Sequence, residues 1–87
     1  MIKIDELKKK IIYRSNYRGT KEMDKLLGTF VKIYINNLSE KDLINLEKLL
    51  NIDDINLYNF YKGLKTDIEI ENNAITSLFK DFHYKNK

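Results

Sequence analysis

The chain has 87 residues, with 16 Lys and Arg against 13 Asp and Glu for a net charge of +3; it contains no cysteine, no proline, three glycines and one histidine. That length suits one small domain burying somewhat over ~60% of its unfolded surface, with little room for a separate catalytic unit. The lack of cysteine and the lone His83 argue against a disulfide scaffold, a thiol nucleophile or a protein-built metal site, and +3 is too mild to demand nucleic acid as partner. No apolar run approaches the ~18 residues of a membrane span, and MIKIDELKKK mixes acid with base where a signal peptide is apolar. A cytoplasmic protein that does not insert into membranes is expected. With so few breakers, the periodic apolar positions point to an all-α fold, a compact bundle of about five helices in a single domain, 1–87.

Ile4, Leu7 and Ile11 share one helical stripe, so a first short helix should run from Ile4 to about Arg14. Asp5 and Glu6 near its start and the Lys8–Lys10 run nearer its end suit the helix dipole, and those lysines read as a solvated face. Ser15 to Gly19 then turns the chain. A long central helix follows from about Thr20. Met23, Leu26, Leu27, Phe30 and Tyr34 form one stripe, while Val31, Ile35 and Leu38 widen it, so this helix needs neighbours on two sides. Either Gly19 or Thr20 can be its N-cap; with Gly19 as cap, Glu22 falls at N3 and completes a capping box. Gly28 costs about 1 kcal/mol relative to Ala in a helix interior and should mark a close approach of another helix.

Ser39 opens a third helix whose Leu43, Leu46, Leu49 and Leu50 are its buried face, and the short connection predicts the second and third helices as antiparallel neighbours. Asp53-Asp54 opens a fourth, with Leu57, Phe60, Tyr61 and Leu64 inward, Tyr58 a little off the stripe, and Gly63 at C′. LKTDIEIEN, 64–72, alternates apolar and polar residues but has no strand to pair with, and reads as an extended connection. Asn72 or Asn73 caps a last helix bearing Ile75, Leu78, Phe79 and Phe82. His83 to Lys87 should fray, with His83 a surface residue.

No catalytic constellation emerges. Asp53-Asp54 reads as a helix start and Glu69/Glu71 as a solvated edge, and the isolated glycines form no phosphate-binding loop. From spacing alone, Gly19 is a turn residue, Glu22 a cap, Asp24 a dipole partner and Arg18 a solvated charge.

The run Arg18-Gly19-Thr20-Lys21-Glu22-Met23-Asp24, followed by Leu26-Leu27-Gly28-Thr29-Phe30, resembles the RG-x-x-E-x-D signature of the SdhE-type assembly factors of succinate dehydrogenase. The likeness continues through Leu38-Ser39-Glu40, Leu49-Leu50 and Asp53-Asp54-Ile55-Asn56-Leu57-Tyr58-Asn59-Phe60, covering about residues 13–63. Many members carry a second Arg before the RG pair, where this chain has Tyr17, and a tryptophan where it has Phe60. The resemblance implies a small helical protein, not an enzyme and without a cofactor of its own, that binds the flavoprotein subunit of succinate dehydrogenase, or of fumarate reductase, and promotes covalent FAD attachment there.

It further implies partner-binding residues at Arg18, Gly19, Glu22 and Asp24, with Arg14 approaching the same surface. Arg18 would contact a client carboxylate or carbonyl, Gly19 would let backbones approach, and Glu22 and Asp24 would accept from client donors or orient Arg18. A monomer is expected when free. The competing reading is a small basic regulator, antitoxin-like or nucleic-acid-binding, using Lys8 to Lys10 and Arg14.

Overall fold

The computed structural model of the chain describes residues 3–82. Its elements are α1 (Ile4–Asn16), α2 (Lys21–Tyr34), one turn of 3-10 helix (Ile35–Asn37), α3 (Glu40–Leu50), α4 (Asp54–Lys62) and α5 (Ala74–Asp81). The all-α bundle of five helices is as expected, and residues 64–72 form a connection without regular structure. His83 and the end of the tail lie outside the described residues.

Side chains explain where the helices begin and end. α1 continues past Arg14 because Ser15 Oγ and Asn16 Nδ2 donate back to the Ile12 carbonyl, at 2.8 and 3.0 Å, and so extend the helix instead of competing with it. Thr20, Ser39, Asp53 and Asn73 are the N-caps of α2, α3, α4 and α5, each accepting the N–H three residues on. Asn73 and Thr76 satisfy one another's backbone reciprocally. α4 ends in a Schellman motif: Gly63 takes φ 76°, its N–H reaches Phe60 O at 3.1 Å, and Leu64 N–H reaches Asn59 O at 2.7 Å.

One core joins the helices. Ile11 of α1, Leu27, Phe30 and Val31 of α2, the four leucines of α3, Leu57 of α4, and Ile75 and Phe79 of α5 are all buried. Phe30 is the hinge-pin of its aromatic half, with ring centroids 5.3 Å from both Phe79 and Phe82 and 5.1 Å from Tyr34. Gly28 sits against the end of α1: a Cβ there would lie 2.7 Å from Asn16 Oδ1 and 4.0 Å from Ser15 O.

Two packing expectations are corrected. α2 and α3 are not close neighbours; α1 lies against both of them, and α5 lies against α3 and α4. The chain leaves α2 through the 3-10 turn and an extended Leu38 (φ −94°, ψ 144°), so a short connection does not fold back as a hairpin. Leu64 is 58% exposed. Gly63 reverses the chain before it, and its Schellman counterpart at C3 is the polar Asn59, which offers no apolar contact.

The start of α4 gives a pH signature. Asp53 accepts from the Asn56 side chain at 2.8 Å and from its N–H at 3.2 Å, while Asn56 Oδ1 accepts from Asp67 N–H at 2.9 Å and holds the 64–72 connection. The Asn56 side-chain hydrogen bond, followed by the backbone one, lowers the Asp53 pKa below its ordinary 3.8. A depressed carboxylate stabilises the fold fully above its unfolded pKa and loses that contribution as pH falls through the folded value. The urea midpoint should therefore drop as acid is added below pH 3.8, and Asp53→Asn, which keeps a capping oxygen without a titrating one, should flatten that part of the curve.

Candidate functional site

The turn between α1 and α2 brings together the residues singled out by the RG-x-x-E-x-D run. Arg18 lies within it, and its side chain is only 10% exposed. Nε donates to Asp54 Oδ1 at 2.8 Å, Nη1 to Leu50 O at 2.8 Å and to Arg14 O at 3.5 Å, and Nη2 to Ile52 O at 2.8 Å. Leu50 closes α3, so the guanidinium occupies the negative end of that helix's dipole and satisfies a carbonyl that has no partner within the helix. Asp54 opens α4, where a carboxylate meets the positive end. A planar fork is the group suited to this joint, because one point charge cannot face Asp54 and three carbonyls in fixed directions.

Asp54 also holds the next residue. Its Oδ2 accepts from Gly19 N–H at 2.8 Å, and a Cβ on Gly19 would lie 3.2 Å from that same oxygen. One carboxylate thus grips the side chain of position 18 and the backbone of position 19. From the other side, Asp24 in the first turn of α2 accepts the Arg18 backbone N–H. The turn is held by α2, α3 and α4 together.

Arg18, expected to reach a partner's carboxylate, instead directs its donors inward to Asp54 and the α3 end. Asp24 takes the orienting part of its expected role, through the Arg18 backbone. Glu22 is exposed and is not a cap: Thr20 Oγ1 accepts from Met23 N–H at 3.1 Å, which makes Met23 the N3 residue and leaves the Glu22 carboxylate to solvent. Gly19 is exposed. Arg14 is half-buried, and its guanidinium has no ion pair or hydrogen bond to other described residues. The Lys8–Lys10 run is not a free basic stripe, since Lys10 pairs with Glu47 of α3 at 2.7 Å and Lys8 is half-buried.

Two features escaped the sequence reading. Asp54 was absorbed into a helix start, although a second acid beside Asp53 has no capping work left to do once Asp53 is the cap. Tyr13 and Tyr17, 64% and 70% exposed, lie with ring centroids 4.5 Å apart and ring planes tilted by 36°. Their i, i+4 spacing was the available signal. Among the described residues no group of three or more His, Cys, Asp or Glu could hold a metal ion, and no helix is long and apolar enough to cross a membrane.

A family model described as flavinator of succinate dehydrogenase matches residues 9–83. The chain belongs to that family. The match takes in the whole RG corner and runs on through α5, well beyond the stretch 13–63 that carries the motif. Curated relatives named succinate dehydrogenase assembly factor 2, mitochondrial, include one from Dictyostelium discoideum, 39% identical over 57 residues, covering 66% of this chain and 40% of that protein. The factor 2-A of Drosophila willistoni is 33% identical over 81 residues, 91% of this chain and 51% of its own length. That of Danio rerio is 28% identical over 81 residues, with the same coverage of 91% and 51%. The chain spans about half the length, or less, of these relatives. No solved structure matches it.

Proposed function

We propose that this flavinator-family chain is a non-enzymatic assembly factor that binds the flavoprotein subunit of succinate dehydrogenase and promotes covalent attachment of FAD to it. The observation that carries the reading is that the family match spans the RG corner, which is held rigid from within by Asp54 and Asp24 while Gly19 and Glu22 stay exposed. A preset surface binds without paying to order itself.

Flavinylation needs the flavin held against a client side chain with developing charge stabilised, and the client carries those parts. A factor that binds the competent client conformation more tightly raises its population by the ratio of the two affinities. Arg18 then acts as the residue that holds the turn, Gly19 permits close backbone approach, and Glu22 and Arg14 supply opposite charges to the partner. The chain works without a cofactor of its own and as a monomer before meeting its client. The cytoplasm is the compartment proposed; the curated relatives are named mitochondrial, so the functional requirement is the compartment in which the flavoprotein folds.

Glu22→Ala separates contact from folding. Because Glu22 is exposed and caps nothing, its loss should leave stability within about 0.5 kcal/mol of wild type. Affinity for the purified flavoprotein subunit should fall about tenfold, or ~1.4 kcal/mol, with less flavin fluorescence retained on the denatured subunit. A wild-type chain that neither binds that subunit nor raises its flavin content would refute the reading.

A further inference from the structure

A groove of about 450 Å³ runs between the first turns of α2 and the end of α4, with Glu22 at its rim. Lys21 and Lys25 stand on one wall, Tyr58, Tyr61 and Lys62 on the other, and buried Leu26 lies beneath. The three ammonium groups make no ion pair with described residues; Lys62 Nζ lies 5.6 Å from the centre of the Tyr58 ring. Glu22 is the lone carboxylate in the lining, so positive charge is in surplus over partly apolar walls, where pairing is stronger than in open water. A larger hollow of about 730 Å³ at the start of α3 lacks this bias, since Glu40, Asp42 and Glu71 there offset Lys41 and Lys48.

We infer that this groove receives a carboxylate-bearing segment of the partner polypeptide, docking beside Glu22. The inference rests on the function proposed above and extends that site along α2 to α4. The tyrosines decide between an acidic peptide and a nucleic acid. Single-stranded nucleic acid binds by stacking bases on aromatic faces. Here the Tyr61 ring lies 5.2 Å from Phe79 with its hydroxyl donating to Phe82 O at 2.6 Å, and Lys62 covers one face of Tyr58. Neither ring is a clear stacking platform. Glu22 would repel phosphate, whereas a polypeptide brings N–H donors that a carboxylate accepts. Carboxylates reaching Lys21, Lys25 and Lys62 and an N–H reaching Glu22 satisfy every charge in the groove.

The test is charge reversal, Lys25→Glu with Lys62→Glu, measured against the purified flavoprotein subunit at low and high salt. Both lysines are exposed, so circular dichroism should show an unchanged fold; the single variants Lys25→Gln and Lys62→Gln serve if the double one does not fold. The expected result is a loss of affinity of about tenfold or more at low salt, shrinking as salt rises. If wild type binds the subunit, Glu22→Ala weakens it and charge reversal does not, the groove assignment falls while the proposed function stands. If wild type does not bind the subunit at all, both fall. A single-stranded oligonucleotide bound through these lysines more tightly than the subunit would also overturn the assignment.

Discussion

Arg18→Ala is expected to cost the free protein about 3 kcal/mol, lowering Tm by about 12–24 °C in a chain of this size. The change removes the 2.8 Å pairing with Asp54 and leaves the Leu50 and Ile52 carbonyls without their donor at the junction of α3 and α4. A surface arginine awaiting a partner would change stability by only a few tenths of a kcal/mol, so thermal unfolding followed by circular dichroism separates the two roles before any partner is added. Arg18→Lys should fall nearly as far, because an ammonium keeps the charge and loses the fork. A double-mutant cycle with Asp54→Ala should return a coupling of about 1–3 kcal/mol. A coupling near zero would show that the guanidinium does not tie the helices together.

Phe30→Ala should be still more damaging, at about 4 kcal/mol. The ring is fully buried and meets Phe79 and Phe82 of the C-terminal segment as well as Tyr34 of its own helix. Its removal leaves a cavity and forfeits edge-to-face contacts worth about 0.5–1.5 kcal/mol each. Against the 5–10 kcal/mol or so that a small domain has in total, the variant should be largely unfolded at moderate urea, with α5 the first element to lose protection from hydrogen exchange. Phe30→Leu keeps most of the volume and should cost about 1 kcal/mol. If Phe30→Ala and Phe30→Leu unfold at the same urea concentration, the aromatic cluster is not what seats α5.

Much of the fold is legible in local pattern. Ser39, Asp53 and Asn73 announce three helix starts, because a cap and the N–H it binds are only three residues apart. The leucine stripe of α3 and the Ile75, Phe79 and Phe82 positions of α5 follow from helical periodicity. Leu64 misled because periodicity was carried across Gly63, where a left-handed residue turns the chain off the helix axis. The expected pairing of α2 with α3 failed because a short link constrains distance and not direction, and the 3-10 turn redirects the chain.

The RG corner shows the same boundary. Its motif was visible, and so was the turn. The inward course of Arg18 was not, because its acceptors belong to residues 50, 52 and 54 and depend on where α3 stops. Of the two possible N-caps of α2, Gly19 and Thr20, the structure uses Thr20, which puts Glu22 at N2 and leaves it no part in a capping box, a choice that rests on one residue of register at a helix start.

The pairing of Arg18 with Asp54 closes across 36 positions of chain. A nascent or truncated copy that stops before Asp54 keeps Asp24 for the backbone of the turn and has no carboxylate for the Arg18 side chain. The geometry of the RG corner is therefore completed only by residues far beyond the motif itself. A half-made copy carries every letter of the RG-x-x-E-x-D run and lacks the acceptors that fix its arginine.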